Sequence, residues 1–578
     1  MAAPRPPAND RQKSVIIDVL RQFRTVFLSA LAFSMVINLL MLVPAIYMLQ
    51  LYDRVLASMN TTTLFMLTVV VILLFIVLAT MEIVRSKTLV RVGNRLDERL
   101  NGHVFRATYE SYLRQGNGNA QQSLGDFTSV RQFATGQGII AFFDAPWTPI
   151  FIIVMYMFHW QIGLLATFGA LIFLLLALLN EWATSKPLSE ANRIANRANA
   201  QAASNLRNAE VIESMGMFQH VRNRWLALHH KMLDFQTVAS ERAGMITGIT
   251  KTLAMGMQSM VLGLGAWLVI QNEMTAGMMI AGSILMGRAL APMQQLIGSW
   301  RGFVATRNAH ERVNKLLLEF PDQQEGLSLP PPKGEVRVDA LFGGPPGVQR
   351  PVISNVQFAI APGEALAIVG PSASGKSTLA RMLVGVWAPL SGKVRLDGAD
   401  VYAWNKDELG QYVGYLPQDI ELFDGTVADN IARFGEVDSK KVVEAAQCAG
   451  VHETILSFPD GYNTVIGAHG FNLAGGQRQR IGLARAVYGN PRLVVLDEPN
   501  SNLDESGERE LIATVKRLRD AGAAIALITH RTSIIAAVDR MLVMRGGQVA
   551  QFGPRDDVLR YLKAASAQAE GGRLTKDA

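Results

Sequence analysis

The sequence predicts an α-helical membrane domain with six transmembrane helices, followed by an α/β domain with a P-loop that binds a nucleotide. Six apolar stretches, each long enough to cross a bilayer, lie in the first half of the chain. The segment GPSASGKST at Gly370 to Thr378 matches the phosphate-binding pattern G-x-x-x-x-G-K-[ST]. Beyond it, predicted strands alternate with predicted helices, as in folds built on a largely parallel sheet.

The composition favours a membrane protein. Of 578 residues, 49% are hydrophobic and only 18% are charged. The net charge of +7 does not indicate nucleic-acid binding, because no basic stretch with interleaved aromatic residues occurs and membrane proteins use basic residues to orient their loops. The single cysteine, Cys448, excludes an internal disulfide and a cysteine-rich metal site, so we expect it to be a packing residue.

The domain boundaries follow from changes in hydropathy and from the prolines of the linker. We expect a polar cytoplasmic tail at 1–24, a transmembrane domain at 25–320, a proline-containing linker at 321–334, a nucleotide-binding domain at 335–560 and a polar tail at 561–578. The six predicted spans are Thr25 to Leu51, Thr62 to Val84, Ile139 to Phe158, Ile162 to Leu179, Leu253 to Ile270 and Ala276 to Leu296. Trp300 to Phe320 should continue the last helix.

The loops between the spans predict the orientation. The three short loops contain one basic residue, Arg54, whereas the long connections at 85–138 and 183–251 carry eight or nine each. Lysine and arginine accumulate on the cytoplasmic side of a membrane. Both termini and the long connections are therefore expected in the cytoplasm, with the chain crossing a membrane and contacting its lipid.

The long connections have helical periodicity and should extend the spans into the cytoplasm. Thr88 to Tyr112 and Ser189 to Phe218 have apolar residues at helical spacing. Polar stretches at Ser123 to Gln132 and Asn205 to Gly216 are predicted as turns where the chain reverses. We expect these turns to contact the nucleotide-binding domain, although ordinary helix connections would show the same composition.

Two charges fall within predicted spans, Asp144 near the inner end of the third and Arg288 inside the sixth. Asp144 lies in FFDAPW of the third span, and Arg288 lies in GRALAP of the sixth. Charges within a membrane are costly unless they are paired or hydrated, so they mark functional positions. We hypothesise that both face the transport pathway and that they pair or line a water-filled path; snorkelling to the interface is the alternative.

The phosphate-binding segment comprises Gly370, Pro371, Ser372, Ala373, Ser374, Gly375, Lys376, Ser377 and Thr378. Its glycines allow successive backbone N–H groups to point inward, and the helix that follows adds its positive end. Lys376 should contact the β- and γ-phosphates of ATP, and the Ser377 hydroxyl should bind Mg²⁺.

Three further groups follow apolar strands or their loops. Leu493 to Leu496 leads into Asp497 and Glu498, a pair suited to binding Mg²⁺ and to polarising an attacking water. His530 ends the apolar run from Ala524 to Thr529, where an imidazole could lie near a γ-phosphate. Gln418, in the loop YLPQD, could sense the metal or the water.

A family resemblance rests on LAGGQRQR at Leu473 to Arg480, upstream of LVVLDEP. This segment resembles the LSGGQ signature of the ATP-binding cassette family, and all these motifs occur in family order. Six spans before one cassette resemble an exporter half-transporter. YMLQLYDRVL at Tyr47 to Leu56 and FFDAPWTPIF at Phe142 to Phe151 are similar to the inner-membrane ATPases of type I secretion systems that export proteases and lipases, the PrtD-like group.

The resemblance implies a homodimer with two composite ATP sites. The signature of one chain would close over the nucleotide held by Lys376 of the other; its residues are Leu473, Ala474, Gly475, Gly476 and Gln477. Glu498 would be the catalytic base and Asp497 a metal contact with Ser377. Gln418 would sense metal and water.

The resemblance also implies further contacts and partners. His530 would contact the γ-phosphate, and Asp504 would couple the two sites. The exported substrate would be an unfolded polypeptide with an uncleaved carboxy-terminal signal. It would be handed to a periplasmic adaptor and an outer-membrane channel.

Three departures keep other functions open. Ala474 replaces the signature serine, Pro345 stands where exporters have a base-stacking aromatic residue with Phe342 the nearest ring, and Ala468 replaces a common glutamate. A nucleotide-gated channel or regulator with weakened ATPase sites is therefore one alternative. A separate alternative, which does not depend on these departures, is an exporter of lipid or a small molecule, and only the resemblance of the spans argues against it.

Overall fold

The computed structural model describes residues 14–115, 120–321, 329–348, 350–467 and 470–574. The chain divides into two compact units, with the main change between them at Asp322 and Gln323. The first unit is helical. The second unit combines helices with three sheets.

The helices of the first unit are α1 (Val15–Gln22), α2 (Arg24–Leu40), α3 (Val43–Gln50), α4 (Leu56–Ser58), α5 (Thr61–Gln115), α6 (Ala120–Thr135), α7 (Gln137–Asp144), α8 (Thr148–Phe158), α9 (Trp160–Arg207), α10 (Ala209–Ser214), α11 (Phe218–Ile270) and α12 (Ala276–Glu319). Together they supply six helical segments that are long and apolar enough to cross a membrane. Many of their large apolar side chains are exposed, as expected for helices that face lipid. Residues such as Ala166, Ala281 and Leu285 form the packed interior.

Two of the six spans are interrupted, although we predicted continuous helices. The first breaks at Met41 and Leu42, just before Pro44, and then forms a π-helical turn at Leu51–Val55. The third breaks at the 3₁₀ turn Ala145–Trp147, which contains Pro146. Proline has no backbone N–H and its ring collides with the preceding turn, so both breaks have a local cause.

The helices extend well beyond the predicted spans. Thr88 to Tyr112 lies inside α5, and α12 continues to Glu319, as expected. The stretch 189–218 is not one continuous helix, because α9 ends at Arg207. The chain then reverses through the short helix α10, within the predicted turn at 205–216. The predicted turn at 123–132 is wrong, because these residues lie inside α6, where Phe127 and Val130 are buried in a helical core.

Asp144 does not pair with Arg288. Its Oδ1 accepts a hydrogen bond from Nη1 of Arg85 at 2.8 Å and another from Nδ2 of Asn38 at 3.2 Å. The same Arg85 atom donates to Oγ of Ser34 at 2.9 Å. Arg288 is exposed. The proposed Asp144–Arg288 pair is therefore wrong, since Asp144 is buried with polar partners from α2 and α5.

The strands of the second unit are β1 (Val336–Gly343), β2 (Ile353–Ile360), β3 (Ala365–Val369), β4 (Ser391–Leu396), β5 (Ala399–Asp400), β6 (Val413–Leu416), β7 (Gly425–Thr426), β8 (Val465–Ile466), β9 (Leu493–Asp497), β10 (Ala524–Ile528), β11 (Arg540–Arg545) and β12 (Gln548–Pro554). Its helices are α13 (Lys376–Leu383), α14 (Lys406–Leu409), α15 (Val427–Ile431), α16 (Ser439–Cys448), α17 (His452–Leu456), α18 (Gly475–Val487), α19 (Glu505–Asp520), α20 (Thr532–Ile535) and α21 (Arg555–Leu574).

The main sheet of this unit has the strand order β12-β11-β3-β10-β9-β6. The strands from β11 to β6 run parallel, and β12 is antiparallel at one edge. All residues of β3, β9 and β10 are buried, which explains why these strands are continuous apolar runs in the sequence. The expected α/β fold is confirmed, and an antiparallel sheet of order β2-β1-β4-β5 accompanies it.

Candidate nucleotide-binding site

The predicted site residues follow the carboxyl ends of adjacent parallel strands. Ile528 of β10 pairs with Asp497 of β9 and with Ile368 of β3, so these strands end at one edge. The P-loop follows β3, Glu498 follows β9, and Gln418 and His530 lie two residues beyond β6 and β10. In open α/β sheets, ligands bind in the crevice at this edge.

The P-loop has the backbone that its glycines predict. Gly370 and Gly375 have φ angles of +153° and +94°. A Cβ at Gly370 would lie 2.2 Å from the carbonyl oxygen of Met544, and a Cβ at Gly375 would lie 2.5 Å from Cγ2 of Ile353. Both positions therefore require glycine. The loop leads directly into α13, whose N-terminus adds a positive end suited to phosphate.

Lys376 is buried at the start of α13. Its Nζ donates hydrogen bonds to the carbonyl oxygens of Gly370 at 2.9 Å and Pro371 at 3.0 Å. Burial lowers the pKa of Lys376, and the nearby charges of Glu498 and Asp497 act in the opposite direction. The P-loop carbonyl oxygens thus hold the ammonium of Lys376 in place, and phosphate oxygens could replace them as hydrogen-bond acceptors.

Asp497 and Ser377 fit a Mg²⁺ ion. Asp497 is only 1% exposed, and its Oδ1 has no hydrogen-bond partner among the described residues. Burial raises the pKa of Asp497, while a hydrogen bond with the Ser377 side chain lowers it. A buried carboxylate oxygen without a partner, beside a hydroxyl, matches the oxygen ligands that Mg²⁺ takes next to substrate phosphates.

Glu498 lies between Gln418 and His530. Its Oε2 accepts a hydrogen bond from Nε2 of Gln418 at 3.1 Å, and its Oε1 lies 3.9 Å from Nε2 of His530. The backbone of Glu498 is left-handed, with φ +50°, and its N–H donates to the carbonyl oxygen of Ile528 at 3.0 Å. Strained conformations of this kind concentrate at functional sites. The structure therefore brings these three predicted residues together, with a half-exposed carboxylate that could polarise a water.

The signature residues form the entry to α18. Oε1 of Gln477 accepts a hydrogen bond from the backbone N–H of Ala474 at 2.9 Å. Asn502 supplies the atoms nearest to where a Cβ would stand at Gly475 and at Gly476. Leu473 is buried. These contacts lie within one chain, so closure over a second chain's nucleotide stays a prediction.

Asp504 begins α19 as its N-cap. Its Oδ1 accepts a hydrogen bond from the backbone N–H of Gly507 at 2.9 Å and lies 3.1 Å from Nη2 of Arg480. The Gly507 hydrogen bond is the main cause of a lowered pKa for Asp504. Its proposed coupling of two ATP sites remains a prediction.

Sequence reasoning missed Gln479, which joins the signature helix to the segment after Glu498. Its Oε1 accepts a hydrogen bond from the backbone N–H of Asn502 at 2.9 Å, and its Nε2 donates to the carbonyl oxygen of Pro499. Gln479 is 2% exposed. Its only sequence signal was its position in LAGGQRQR, next to the residues that we selected.

Arg433 was also missed, and no sequence motif identified it. Its guanidinium donates to four backbone carbonyl oxygens: those of Arg485 and Ala486 near the end of α18, of Gly410 directly after α14, and of Val413 at the start of β6. Burial is the main cause that lowers its pKa to about 10. Arg433 therefore ties the signature helix to the strand that precedes Gln418.

Two departures from the exporter pattern remain, Pro345 with its neighbour Phe342, and Ala468. Phe342 lies in β1 and is half-buried, as is Pro345 in the turn that follows. Ala468 lies outside the described residues. The effect of Ala474, Pro345 and Ala468 on nucleotide binding and hydrolysis stays a prediction.

Comparison with known proteins agrees with this site and with the helical unit. The family model for the ABC transporter matches residues 353–501, and the model for the ABC transporter transmembrane region matches residues 27–293. The type I secretion system ATP-binding protein PrsD of Rhizobium meliloti (strain 1021) is 43% identical over 542 residues, 93% of each chain. The leukotoxin translocation ATP-binding protein LktB of Mannheimia haemolytica is 28% identical, over 94% of this chain and 78% of that protein.

A solved structure supports the fold independently. A bacterial Atm1-family ABC exporter with ATP bound has a TM-score of 0.78 and 22% identity, covering 95% of this chain and 98% of that chain. At this identity the likeness shows the fold alone: a six-helix exporter region followed by a nucleotide-binding domain. With the relatives above, it shows that this chain is a member of the ABC transporter family, among the ATP-binding proteins of type I secretion systems.

Proposed function

We propose that this chain is the ATP-hydrolysing component of a type I secretion system and exports an unfolded polypeptide across a bacterial inner membrane. The observation that carries the proposal is the convergence of Gln418 and His530 on Glu498 at the sheet edge beside the P-loop. An intact base of this kind argues against a regulator with inactive sites. The names of the two relatives, a type I secretion protein and a leukotoxin translocator, favour a protein as cargo.

In the proposed reaction, Lys376 and the P-loop amides bind the phosphates of ATP, while Asp497 and Ser377 would hold Mg²⁺. The metal, when bound, neutralises charge on the β- and γ-phosphates. Glu498 orients and deprotonates the attacking water, and Gln418 holds its carboxylate in place. His530 contacts the γ-phosphate. Preorganised groups in this arrangement stabilise developing charge without having to reorganise during the reaction.

We further propose that the active form is a homodimer, with Ala474 to Gln477 of one chain completing the nucleotide site of the other. Each chain carries one P-loop and one signature, so two chains supply two complete sites. Both termini lie in the cytoplasm, where ATP is available. A periplasmic adaptor and an outer-membrane channel carry the polypeptide, a protease or lipase with a carboxy-terminal signal, beyond the inner membrane.

A secretion assay tests this function. The chain is co-expressed with an adaptor, an outer-membrane channel and a reporter polypeptide that bears the carboxy-terminal signal of a secreted protease. We expect reporter in the medium only with the wild-type chain, and none with Lys376→Ala. Equal secretion with Lys376→Ala would refute ATP-driven export. Movement of labelled lipid in proteoliposomes, without reporter secretion, would favour a lipid exporter.

A further inference from the structure

A cavity of about 200 Å³, lined by both polar and apolar residues, lies within the helical unit, between α9, α11 and α12. Asn180 and Thr184 of α9 are the buried polar residues of its lining, at 2% and 6% exposure, and Leu188, Ala239 and Ile297 add buried apolar side chains. Ser240 and Thr247 of α11 and Arg301 of α12 contribute exposed polar side chains. Asn180 immediately follows the predicted fourth span, so the cavity lies near one end of the spans.

The amide of Asn180 leaves one atom without a partner. Its Nδ2 donates to the carbonyl oxygen of Ile297 at 3.5 Å, whereas its Oδ1 is buried and has no hydrogen-bond partner among the described residues. A carbonyl oxygen can only accept, so the contact with Ile297 fixes which amide atom is left. A buried acceptor without a partner is costly, and it calls for a donor from a ligand or from water.

Arg301 supplies a positive charge to the cavity. Within the described part of the chain, its guanidinium makes no ion pair or hydrogen bond. The cavity therefore offers an acceptor, Asn180 Oδ1, and a cation, Arg301, with hydroxyls of Ser240 and Thr247 that can both donate and accept. The Thr184 hydroxyl already donates to the backbone carbonyl oxygen of Asn180 at 2.6 Å and can only accept from a ligand. A ligand that satisfies this set must carry a hydrogen-bond donor, such as a backbone N–H, and an anionic oxygen.

We propose that this cavity binds a carboxylate-bearing segment of the exported polypeptide, with a backbone N–H donating to Asn180 Oδ1 and the carboxylate pairing with Arg301. This inference rests on the proposed function and adds a cargo contact to it. The volume lies below the range of about 300–1,000 Å³ for pockets that enclose drug-sized ligands, so it suits a short segment. A phosphodiester group by itself has only acceptor oxygens, so a lipid could satisfy Asn180 Oδ1 only through a separate headgroup hydroxyl or amine. A peptide carries a backbone N–H at almost every residue and therefore supplies the donor more readily.

The test uses the full-length wild-type chain in nanodiscs of neutral lipid. The probe is the octapeptide Gly-Ser-Gly-Ser-Gly-Ser-Gly-Ser, labelled with fluorescein at its amino terminus, with either a free carboxylate or an amide at its carboxyl end. We expect fluorescence anisotropy to give a Kd at least about tenfold lower for the free acid, as expected for a charge-assisted contact. No binding, or equal binding of acid and amide, would overturn the proposal.

Variants locate the contact. Arg301→Gln should reduce the acid preference to within about twofold, and Asn180→Leu should weaken both peptides by about fivefold or more. Arg242→Gln is the matched control, because it removes the same charge from α11 at a residue that does not line the cavity but donates to the carbonyl oxygen of Ala183. Should Asn180→Leu fail to fold, the exposed Arg301→Gln still decides the outcome. An unchanged preference in Arg301→Gln would contradict the assignment.

Two further measurements distinguish a peptide site from a lipid headgroup site, and the cavity proposal from the proposed function. The binding measurement is repeated in nanodiscs that contain anionic lipid; loss of peptide binding there, dependent on Arg301, would show a headgroup site and overturn the peptide assignment. The secretion assay with the wild-type chain is run in parallel. Secretion without peptide binding would refute the cavity proposal alone, whereas absent secretion would refute the proposed function.

Discussion

Arg85 lies 2.8 Å from Asp144, and the two residues are only 5% and 8% exposed. The pair joins α5 to α7 just before the break at Pro146, and Ser34 and Asn38 of α2 complete its hydrogen bonds. A buried ion pair contributes little net stability compared with apolar packing, but the loss of one partner is strongly destabilising. This pair therefore fixes three helical segments relative to one another.

Replacing Arg85 with methionine should lower the free energy of unfolding by about 3–5 kcal/mol, because Asp144 keeps a buried charge without its partner. Denaturant unfolding of the detergent-solubilised protein measures the change. The double variant Arg85→Met/Asp144→Leu should recover part of this loss. Arg91→Met is the control, since Arg91 is exposed on the same helix. Equal stability of the Arg85 and Arg91 variants would contradict the structural role of the pair.

Restoring a hydroxyl at the signature should strengthen ATP binding. Ala474→Ser is expected to lower the KM for ATP about fivefold, since one added hydrogen bond to a phosphate contributes about 1 kcal/mol. Steady-state ATPase kinetics measure the change, and Ala474→Gly, which adds no hydroxyl, should not lower KM. If serine leaves KM unchanged, the proposed contact between the signature and the opposite γ-phosphate is wrong.

Asp497 should make stability depend on pH in the absence of Mg²⁺. Burial raises its folded-state pKa above the ordinary 3.8, so the native protein holds this proton more tightly than the unfolded chain does. Stability from this group is therefore lost as pH rises from 3.8 through the folded-state pKa. Asp497→Asn should be more stable than wild type above this window and show no such dependence. Thermal unfolding between pH 4 and about 7 measures the difference.

Mg-ATP supplies the control for that experiment. At about a hundredfold excess over Kd it should stabilise the wild type by about 2.7 kcal/mol. The gain should be much smaller for Asp497→Asn, which has lost the metal contact. Equal stabilisation of both proteins would show that Asp497 does not bind the metal.

Gln479→Leu should lower both stability and ATPase rate. The substitution leaves the carbonyl oxygen of Pro499 and the N–H of Asn502 without their partner. The cost is about 1–3 kcal/mol for the buried Pro499 group, whereas water can reach the exposed Asn502. Pro499 directly follows Glu498 in the chain. The loss of its hydrogen bond should therefore release the catalytic carboxylate of Glu498 from its fixed position. For stability, Gln477→Leu is a comparison on the same helix, since within one chain it removes only the hydrogen bond to Ala474. A normal kcat in Gln479→Leu would refute the positioning role.

The sequence predicted which residues meet at the edge of the main sheet, because each of them follows a local pattern. Buried parallel strands are apolar runs, and the polar residues after them must meet at one edge of the sheet. The partners of Gln479 and Arg433 were not predictable, since backbone carbonyls and N–H groups leave no residue-type signal.

The helical unit was predicted less completely. Arg85 and Asp144 lie 59 positions apart, and only the packing of α2, α5 and α7 brings them together. The stretch 123–132 has polar composition, yet Phe127 and Val130 stabilise it as a helix by packing with Leu96 and Leu100. Helix-to-helix contacts of this kind depend on tertiary geometry that hydropathy does not encode.

The ATPase rate of Glu498→Gln tests the central claim most directly. The amide keeps the shape of the side chain but cannot accept a proton from water, so kcat should fall by about 10²–10⁴-fold while the protein still binds Mg-ATP. Purified wild-type and variant chains are compared in the same nanodiscs, with binding followed by thermal stabilisation. A variant that hydrolyses ATP as fast as the wild type would contradict the assignment of Glu498 as the base and, with it, ATP-driven export.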